Sequence, residues 1–301
     1  MVKIAVLASF NMDLVMRVER RPRAGETLQG AFAMFPGGKG FNQAVAARRL
    51  GAQVAVAGRV GADEFGSAFI DALDAEGIER SAVVVDPAAG TGVASVIVEA
   101  DGTNAIVQAP RANRNILAAD FSHTDIFDGA DAVMVNLETN DAAAIAFLRA
   151  LDGRGHALLN PAPARAVPQA LLDAASVVVA NELEAEAITG LRCDSAAAAT
   201  EAAARMGGCG VVTLGSGGAV GVRGGEQEHV AAHDIAAIDT VGAGDAFCAA
   251  LAVRLGEGAP FAEALRFANA AGAIACTRAG ALPSMPRREE VEALLRKGGP
   301  A

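Results

Sequence analysis

Apolar and polar positions change their period several times along the chain. The first apolar run, residues 2–8, has the pattern of a buried strand and turns polar at Asn11 and Asp13. Beyond residue 120, short apolar runs alternate with alanine-rich segments of helical spacing. The predicted strands there are residues 132–135, 157–160, 177–180 and 211–214, and the predicted helices lie near residues 141–151, 195–207 and 261–276. This alternation predicts an α/β fold with a mostly parallel central sheet.

Two segments depart from that alternation. Residues 14–36 contain short apolar stretches instead of a crossover helix, and residues 91–98 and 104–107 flank Asp101-Gly102, which is typical of a hairpin. Together they predict a small β-sheet that extends from the main domain as a lid. Because so small a sheet is rarely stable alone, it needs packing partners.

A glycine-rich turn, residues 36–40, leads into an alanine-rich helix that stops at Gly51. It is not a Walker A loop, because Ala33 stands where glycine is required and Gly40 follows Lys39 where serine or threonine is required. Glycines allow the backbone to approach a ligand closely. Lys39 and Asn42 would then donate to hydroxyl groups, whereas the alternative is a surface turn with a solvated lysine.

A second glycine-rich segment, Gly242-Ala243-Gly244-Asp245, precedes an apolar row with the i, i+4, i+8 spacing of a packed helix. Free N–H groups at a helix start, uncovered by Cβ atoms, bind anions, and Asp245 would lie inside such a site. The alternative is an aspartate that only caps the helix after a glycine turn.

Polar or glycine residues follow each predicted strand beyond residue 120. They are Glu138 after the first, Asn160 at the end of the second, Asn181 with Glu184 after the third, and Gly215 after the fourth. The carboxyl ends of parallel strands share one edge of the sheet, where α/β proteins bind ligands. The turn at residues 215–218 lacks GxGxxG spacing, so it is either a hairpin turn near a nucleotide or a plain hairpin.

Composition excludes several classes of partner. A formal net charge of −10 argues against nucleic acid and anionic membranes, although a nucleotide pocket needs only local positive potential. No apolar run has the length of a membrane span, and the N-terminal run lacks the pattern of a signal peptide. The four cysteines have no CxxC spacing, which predicts buried thiols in a reducing compartment such as the cytoplasm. The histidines form no HxxxH or HExxH pair, so a zinc site is not expected.

Together, these motifs resemble the ribokinase (PfkB) family of carbohydrate kinases over nearly the whole chain. The most specific segments are residues 37–43, Gly-Gly-Lys-Gly-Phe-Asn-Gln, and residues 239–245, Asp-Thr-Val-Gly-Ala-Gly-Asp. Residues 160–163, 181–184 and 277–284 support the match. The resemblance implies a single three-layer α/β/α domain over residues 1–301 with a β-sheet lid from about 14–36 and 91–107. It also implies ATP-dependent phosphorylation of the primary hydroxyl of a pentose, D-ribose giving ribose 5-phosphate.

The resemblance also implies residue roles. Asp245 resembles the general base, and Gly242, Ala243 and Gly244 resemble the anion hole for the moving phosphoryl group. The positions that match sugar contacts are Asn11, Asp13, Gly38, Lys39, Asn42, Glu138 and Asp245. The positions that match the nucleotide side are Asn181, Thr213, Gly215, Gly218, Gly244 and Asn269, with Glu184 in the network of magnesium and phosphate. The positions that match a monovalent-cation (K⁺) site are Asp239, Val241, Ala275, Arg278, Gly280 and Ser284. For Asp239, helix capping is the alternative.

By the same resemblance, two lids pack together in a homodimer. Three features depart from the family pattern: Pro36 before the glycines, Phe41 where a small residue is common, and residues 109–113 where Gly-Ala-Asn is common. Phe41 predicts a narrower sugar pocket.

Other functions remain open at this point. A nucleoside kinase of the same fold would need an apolar slot for its base, for which Phe10 and Phe41 are candidates, although phenylalanine is more often a core residue. Another sugar kinase of the family is a further alternative, since the three departures concern the choice of sugar more than kinase activity. A non-catalytic sugar-binding regulator is disfavoured by Asp245, and a nicotinamide oxidoreductase by the lack of GxGxxG after the first strand.

Overall fold

The computed structural model describes residues 1–297. The strands in this range are β1 (Lys3–Leu7), β2 (Asn11–Arg17), β3 (Ala31–Gly37), β4 (Gln53–Gly61), β5 (Glu79–Asp86), β6 (Gly92–Val98), β7 (Asn104–Ala109), β8 (Ala132–Asn136), β9 (His156–Asn160), β10 (Val177–Asn181), β11 (Cys209–Thr213), β12 (Ala219–Arg223) and β13 (Glu226–Val230). The α-helices are α1 (Lys39–Arg49), α2 (Glu64–Glu76), α3 (Asp141–Arg149), α4 (Gln169–Ala174), α5 (Glu182–Thr189), α6 (Ala196–Arg205), α7 (Ala243–Gly256), α8 (Phe261–Ala275), α9 (Ala281–Ser284) and α10 (Arg288–Lys297). Short 3-10 helices span Arg111–Asn115, Ala118–Asp120, Asp125–Phe127 and Gly215–Gly217.

The larger sheet has nine strands in the order β13-β12-β11-β10-β9-β8-β1-β4-β5. Every pair from β11 to β5 is parallel, and the two pairs at one edge, β11 with β12 and β12 with β13, are antiparallel. Parallel strands need crossover connections, which the intervening helices provide. The predicted mostly parallel sheet is therefore confirmed.

Helices cover both faces of this sheet, because successive side chains of a strand point to opposite faces. Along β1, Ile4 and Val6 pack into a core with α1, α2, α7 and α8, whereas Ala5 and Leu7 pack into a second core with α3, α4 and α6. Helix α7 is apolar on nearly all sides and is buried between α1, α8 and the sheet. The expected three-layer α/β/α architecture is confirmed.

A separate four-stranded sheet, in the order β3-β2-β6-β7, matches the predicted lid, and we use that name for it. Its strands begin at Asn11 and end at Ala109, slightly beyond the predicted segments, and residues 18–30 form neither helix nor strand. The division into one domain over residues 1–301 stays a prediction, and residues 298–301 lie outside the described range.

Two strands and several thiols differ from expectation. The edge strands β5 and β13 have no predicted counterpart; β13 reads Glu-Gln-Glu-His-Val, and its polar side chains are tolerated because an edge strand lies partly in solvent. All four cysteines are free, but only Cys209 and Cys248 are buried, and Cys193 and Cys276 are half-buried. No helix within residues 1–297 has the length and hydropathy to cross a membrane.

Candidate functional site

The start of α1 lies against the end of β1. Gly38, the residue before the helix, has φ +101°, and a Cβ there would come within 2.4 Å of the Ser9 carbonyl oxygen. A Cβ on Gly40 would lie 2.6 Å from the Cα atom of Ala8. Only glycine permits this approach. The close contact places Lys39, on the first turn of α1, over the carboxyl end of the parallel strands.

The start of α7 is open to solvent on one side. Gly242 precedes the helix with φ +81°, and the first intrahelical bond runs from the Ala246 N–H to the Gly242 carbonyl oxygen, at 2.9 Å. The N–H groups before it have no partner within the helix. A Cβ on Gly244 would meet nothing within 4 Å. This helix start can therefore receive an anion, as its sequence predicts.

Asp245 lies on the first turn of α7 and is only 6% exposed. Its Oδ2 accepts from Asn42 Nδ2 and its Oδ1 accepts from Gln43 Nε2, both at 3.1 Å. Burial raises the pKa of Asp245 to about 6, against the opposing effect of Lys39. A carboxylate with a pKa close to the working pH is suited to general-base chemistry.

Glu138 lies between β8 and α3 and accepts hydrogen bonds from the start of the lid and the start of α1. Its Oε2 accepts from Ser9 Oγ at 2.6 Å, Asn11 Nδ2 at 3.1 Å and the Lys39 backbone N–H at 2.8 Å. Its Oε1 accepts from Gln108 Nε2 at 2.9 Å. The structure thus brings Asn11, Lys39 and Glu138 together, as predicted.

Asp13 and Lys39 belong to the same electrostatic cluster. Burial, followed by Glu138 and Asp245, raises the pKa of Asp13 to about 7. Burial also disfavours the charged form of Lys39, but Asp245, Glu138 and Glu184 outweigh it and raise the pKa of the ammonium. One cation surrounded by carboxylates is held charged by its neighbours.

Other polar groups of this cluster were not predicted as site residues. Gln43 is fully buried and also donates to Asn160 Oδ1 at 3.2 Å, so its amide joins β9 to Asp245. Asn113 is fully buried, accepts from the Phe10 N–H at 2.8 Å and donates to Asn11 Oδ1 at 2.9 Å. The sequence offered a signal for each, because Gln43 stands beside Asn42 in the glycine-rich segment and Asn113 ends the segment that stands where Gly-Ala-Asn is common. Within the described residues, Asn42 Oδ1 and Gln43 Oε1 are buried acceptors without a donor.

Phe10 and Phe41 do not form a slot for a nucleobase. Both rings are fully buried and pack on Phe69, with centroid distances of 5.2 Å and 5.1 Å. These two candidates for a base slot are core residues, the role that phenylalanine more often has, and Phe41 does not narrow a sugar pocket because its ring is fully buried. Phenylalanine here supplies core packing.

The predicted nucleotide positions lie near the ends of β10 and β11. Asn181 and Thr213 are register partners on these neighbouring strands. Gly215 and Gly218 form the tight turn that follows, and a Cβ on Gly218 would approach the Val230 carbonyl oxygen to 1.9 Å. Asn269, on α8, donates to the Ala231 carbonyl oxygen at 2.8 Å. Thus Gly218 and Asn269 each have a structural role in the turn region.

Asn181 and Glu184 cap α5 reciprocally. The Asn181 Oδ1 accepts from the Glu184 N–H, and the Glu184 Oε2 accepts from the Asn181 N–H, each at 2.9 Å. Burial raises the pKa of Glu184 despite the nearby Lys39. Its Oε1 accepts no hydrogen bond from the described residues, which fits a magnesium ion held largely by water and phosphate oxygens. In the same range, no group of three or more His, Cys, Asp or Glu side chains is arranged to hold a metal alone.

The two segments predicted to hold a monovalent cation are joined by Asp239. Its Oδ2 accepts from the Gly280 N–H at 2.9 Å, and its Oδ1 accepts from the Val241 N–H at 3.0 Å. Ser284 Oγ donates to the Ala281 carbonyl oxygen, and the Arg278 N–H donates to the Ala275 carbonyl oxygen. The Arg278 guanidinium instead pairs with Glu290. Both Asp239 oxygens and the Ala275 and Ala281 carbonyl oxygens thus already accept hydrogen bonds within the protein, and the bonds that Asp239 accepts hold the two segments together.

The fold and these residues define a class of protein. The family model of the pfkB family carbohydrate kinases matches residues 1–288. The chain belongs to the PfkB family of carbohydrate kinases, and the expected family is confirmed.

Individual relatives agree with this assignment. The chain is 37% identical over 295 residues to ribokinase of Bacillus subtilis, covering 97% of this chain and 99% of that protein. It is 32% identical over 305 residues to deoxyribokinase of Salmonella typhi, covering 97% and 98%. Among solved structures, Arabidopsis thaliana ribokinase complexed with ribose and ATP superposes with a TM-score of 0.90 at 31% identity, covering 98% and 99%.

Proposed function

We propose that the protein transfers the γ-phosphoryl group of ATP to the primary hydroxyl of D-ribose, giving ribose 5-phosphate and ADP. The observation that carries the proposal is the position of Asp245, a buried carboxylate of raised pKa on the first turn of α7, beside an open helix N-terminus. Relatives named ribokinase, one of them complexed with ribose and ATP, support the choice of substrates.

In the proposed step, the hydroxyl oxygen of the sugar attacks the γ-phosphorus and its proton passes to Asp245. The bond between the γ-phosphorus and the oxygen that bridges to the β-phosphorus breaks, and ADP leaves. Phosphoryl transfer needs chiefly positioning and charge neutralisation. The N–H groups of Gly242, Ala243 and Gly244 would donate to the moving group, that of Ala243 after it releases the Thr240 carbonyl oxygen, to which it donates at 3.2 Å. Lys39 supplies a positive charge.

The polar cluster around Glu138 holds the sugar in this proposal. Asn11 and Asn42 donate amide hydrogens, whereas Asp13 and Glu138 accept from sugar hydroxyls. Asn181, Thr213 and the turn at Gly215 and Gly218 lie on the nucleotide side, together with Asn269. This division follows the family resemblance. It agrees with the structure in that Asn181 and Thr213 end neighbouring strands, and Asn269 bonds to Ala231 just beyond the hairpin that follows them.

Two cations complete the proposed chemistry. Glu184 is the residue that would help to hold Mg²⁺, which would supply neutralisation of the phosphate charge. K⁺ is assigned to the loop around Asp239, with Val241, Ala275, Arg278, Gly280 and Ser284 supplying mostly backbone oxygens. The hydrogen bonds that the Asp239 carboxylate accepts from the Val241 and Gly280 N–H groups join the two segments and support this assignment.

We also infer a homodimer formed through the lid, in the cytoplasm. The lid exposes several apolar side chains on one face, which a second copy would cover. Four free thiols are consistent with a reducing compartment.

The proposal is tested by ADP release with ATP and a panel of D-ribose, 2-deoxy-D-ribose, D-fructose, adenosine and pseudouridine. D-Ribose should give the highest kcat/KM. A higher kcat/KM for adenosine or pseudouridine would replace the proposal with a nucleoside kinase, and no ADP release with any sugar would indicate a binding protein.

Asp245→Asn tests the assigned base. We expect kcat to fall about 10²- to 10⁴-fold, because the isosteric amide cannot accept the proton, while nucleotide affinity by calorimetry stays within about twofold. The control is Asp71→Asn on the exposed side of α2, which should keep wild-type turnover. If Asp245→Asn retained most of its activity, Asp245 would not be the base.

A further inference from the structure

Gln108 reaches the site from the lid. It lies on β7, where it is the register partner of Ala94 on β6, and Ala94 is in turn the register partner of Asp13 on β2. Side chains at laterally paired positions point to the same face of a sheet. Asp13 and Gln108 therefore project from one face of the lid, and that face carries a residue of the proposed sugar site.

The contact of Gln108 with Glu138 joins the lid to the main sheet, over a separation of 30 residues in the chain. Glu138 Oε2 accepts hydrogen bonds from Ser9, Asn11 and the backbone of Lys39. Among the described residues, Gln108 is the one donor to Oε1. A carboxylate oxygen accepts about two hydrogen bonds. Oε1 is therefore the oxygen of Glu138 that retains capacity for a ligand hydroxyl, and Gln108 is next to it.

We propose that Gln108 is a specificity-determining residue of the lid, whose amide group is shared between Glu138 Oε1 and one hydroxyl of the bound sugar. The inference rests on the proposed function and extends it to the choice of sugar. A sugar that carries this hydroxyl satisfies both polar groups at once. A deoxy analogue leaves this hydrogen bond unmade, and a site built to hydrogen-bond a hydroxyl rejects the analogue that lacks it.

Gln108→Leu is the test, because leucine keeps the bulk of the side chain and removes its polar atoms. The kcat/KM values are measured for D-ribose, 2-deoxy-D-ribose and 3-deoxy-D-ribose. We expect about a tenfold loss for D-ribose, mainly in KM, and at most about a twofold loss for the analogue that lacks the shared hydroxyl. The KM for ATP should not change.

Asn104→Leu is the matched control, since Asn104 is exposed and lies on the same strand and face as Gln108. Gln108→Glu is a second variant of the same length; it places a like charge against Glu138 and should lower ribose affinity at least as far as leucine does. Calorimetric binding of D-ribose without nucleotide provides a readout that does not depend on turnover.

The outcomes separate the two proposals. Equal loss for all three sugars in Gln108→Leu, or no loss, would overturn the role of Gln108 while the wild-type protein stayed an active ribose kinase. A wild-type protein that neither binds nor phosphorylates any of these sugars would overturn the proposed function and the role of Gln108 with it.

Discussion

Three carboxylates, Asp13, Glu138 and Asp245, influence one another and the ammonium of Lys39 inside the site. Burial, and after it like charges, raise the pKa of Asp13 to about 7 and that of Asp245 to about 6. Asp245, Glu138 and Glu184 raise the pKa of Lys39. The site therefore changes its proton content within the physiological range. This follows from how closely α1, α7 and β2 approach one another.

The pH dependence of kcat/KM for the sugar should reflect both acids. A carboxylate of raised pKa has its basic form only above that pKa, so we expect a plateau above about pH 8 and a decline below about pH 7 that steepens below about pH 6. In Asp13→Asn, the decline should begin only below about pH 6 and have the slope of a single proton, on a lower plateau. If the upper inflection stayed unchanged in Asp13→Asn, a group other than Asp13 would be responsible for it.

Gln43 should act on Asp245 without touching the reactants. Its amide donates to Asp245 Oδ1 from within a fully buried position. Gln43→Leu removes a donor that favours the charged form of Asp245. The inflection that Asp245 gives to the dependence of kcat on pH should therefore move to higher pH, and kcat should fall about tenfold at pH 7. The exposed Gln53→Leu is the control. A lower kcat with an unmoved inflection would point to a packing role instead.

At the scale of elements, two glycines at helix starts differ in what surrounds them. A Cβ on Gly40 would lie 2.6 Å from the backbone of β1, whereas a Cβ on Gly244 would meet nothing within 4 Å. The first glycine is required for packing. The second has open space beside it, which a bound phosphate could occupy.

The two alanine variants should therefore fail in different ways. Gly40→Ala should lower the free energy of unfolding by about 1–3 kcal/mol, because α1 must move away from β1. Gly244→Ala should leave the unfolding free energy equal or slightly higher, since alanine favours a helix, while kcat falls at least about tenfold as the methyl group obstructs the anion position. Chemical denaturation and turnover measure the two effects. A fully active Gly244→Ala would exclude the helix start from phosphoryl binding.

The elements that the sequence predicts are those whose pattern is local. Runs such as residues 177–180 are apolar throughout because the strands are covered on both faces, and the start of α7 follows from its glycines. Strand β13 escapes prediction because its edge position tolerates polar residues. Gln108 and Asn113 were not predicted as site residues, because their partners, Glu138 and Phe10, lie 30 and 103 residues away in the chain. Such contacts depend on tertiary packing, which no local period encodes.

At the scale of the whole molecule, the lid has two unlike faces. One carries Asp13 and Gln108 together with Phe35 and Ile106, which are 36% and 53% exposed. On the other face, Met16 pairs with Phe32 and Leu14 pairs with Met34. Val107 lies on this face too, because it pairs with Ser95, which in turn pairs with Leu14. Phe32, Met34 and Val107 are 57%, 51% and 74% exposed. An exposed apolar sheet face of this kind favours association with a second copy.

If two lids pack by this face, charge placed there should separate the protomers. We expect the wild-type protein to sediment at twice the chain mass at about 10 µM, and Phe32→Glu combined with Val107→Glu to sediment as a monomer, because burying a carboxylate without a partner costs several kcal/mol. Leu117→Glu, an exposed apolar residue outside the lid, should remain a dimer. Since the opposite face of the same strands carries Asp13 and Gln108, the monomeric variant should also show a raised KM for the sugar and an unchanged KM for ATP. A wild-type monomer, or a dimer that survives the double substitution, would show that the apolar face does not form the interface, and the sugar site would then be complete within one chain.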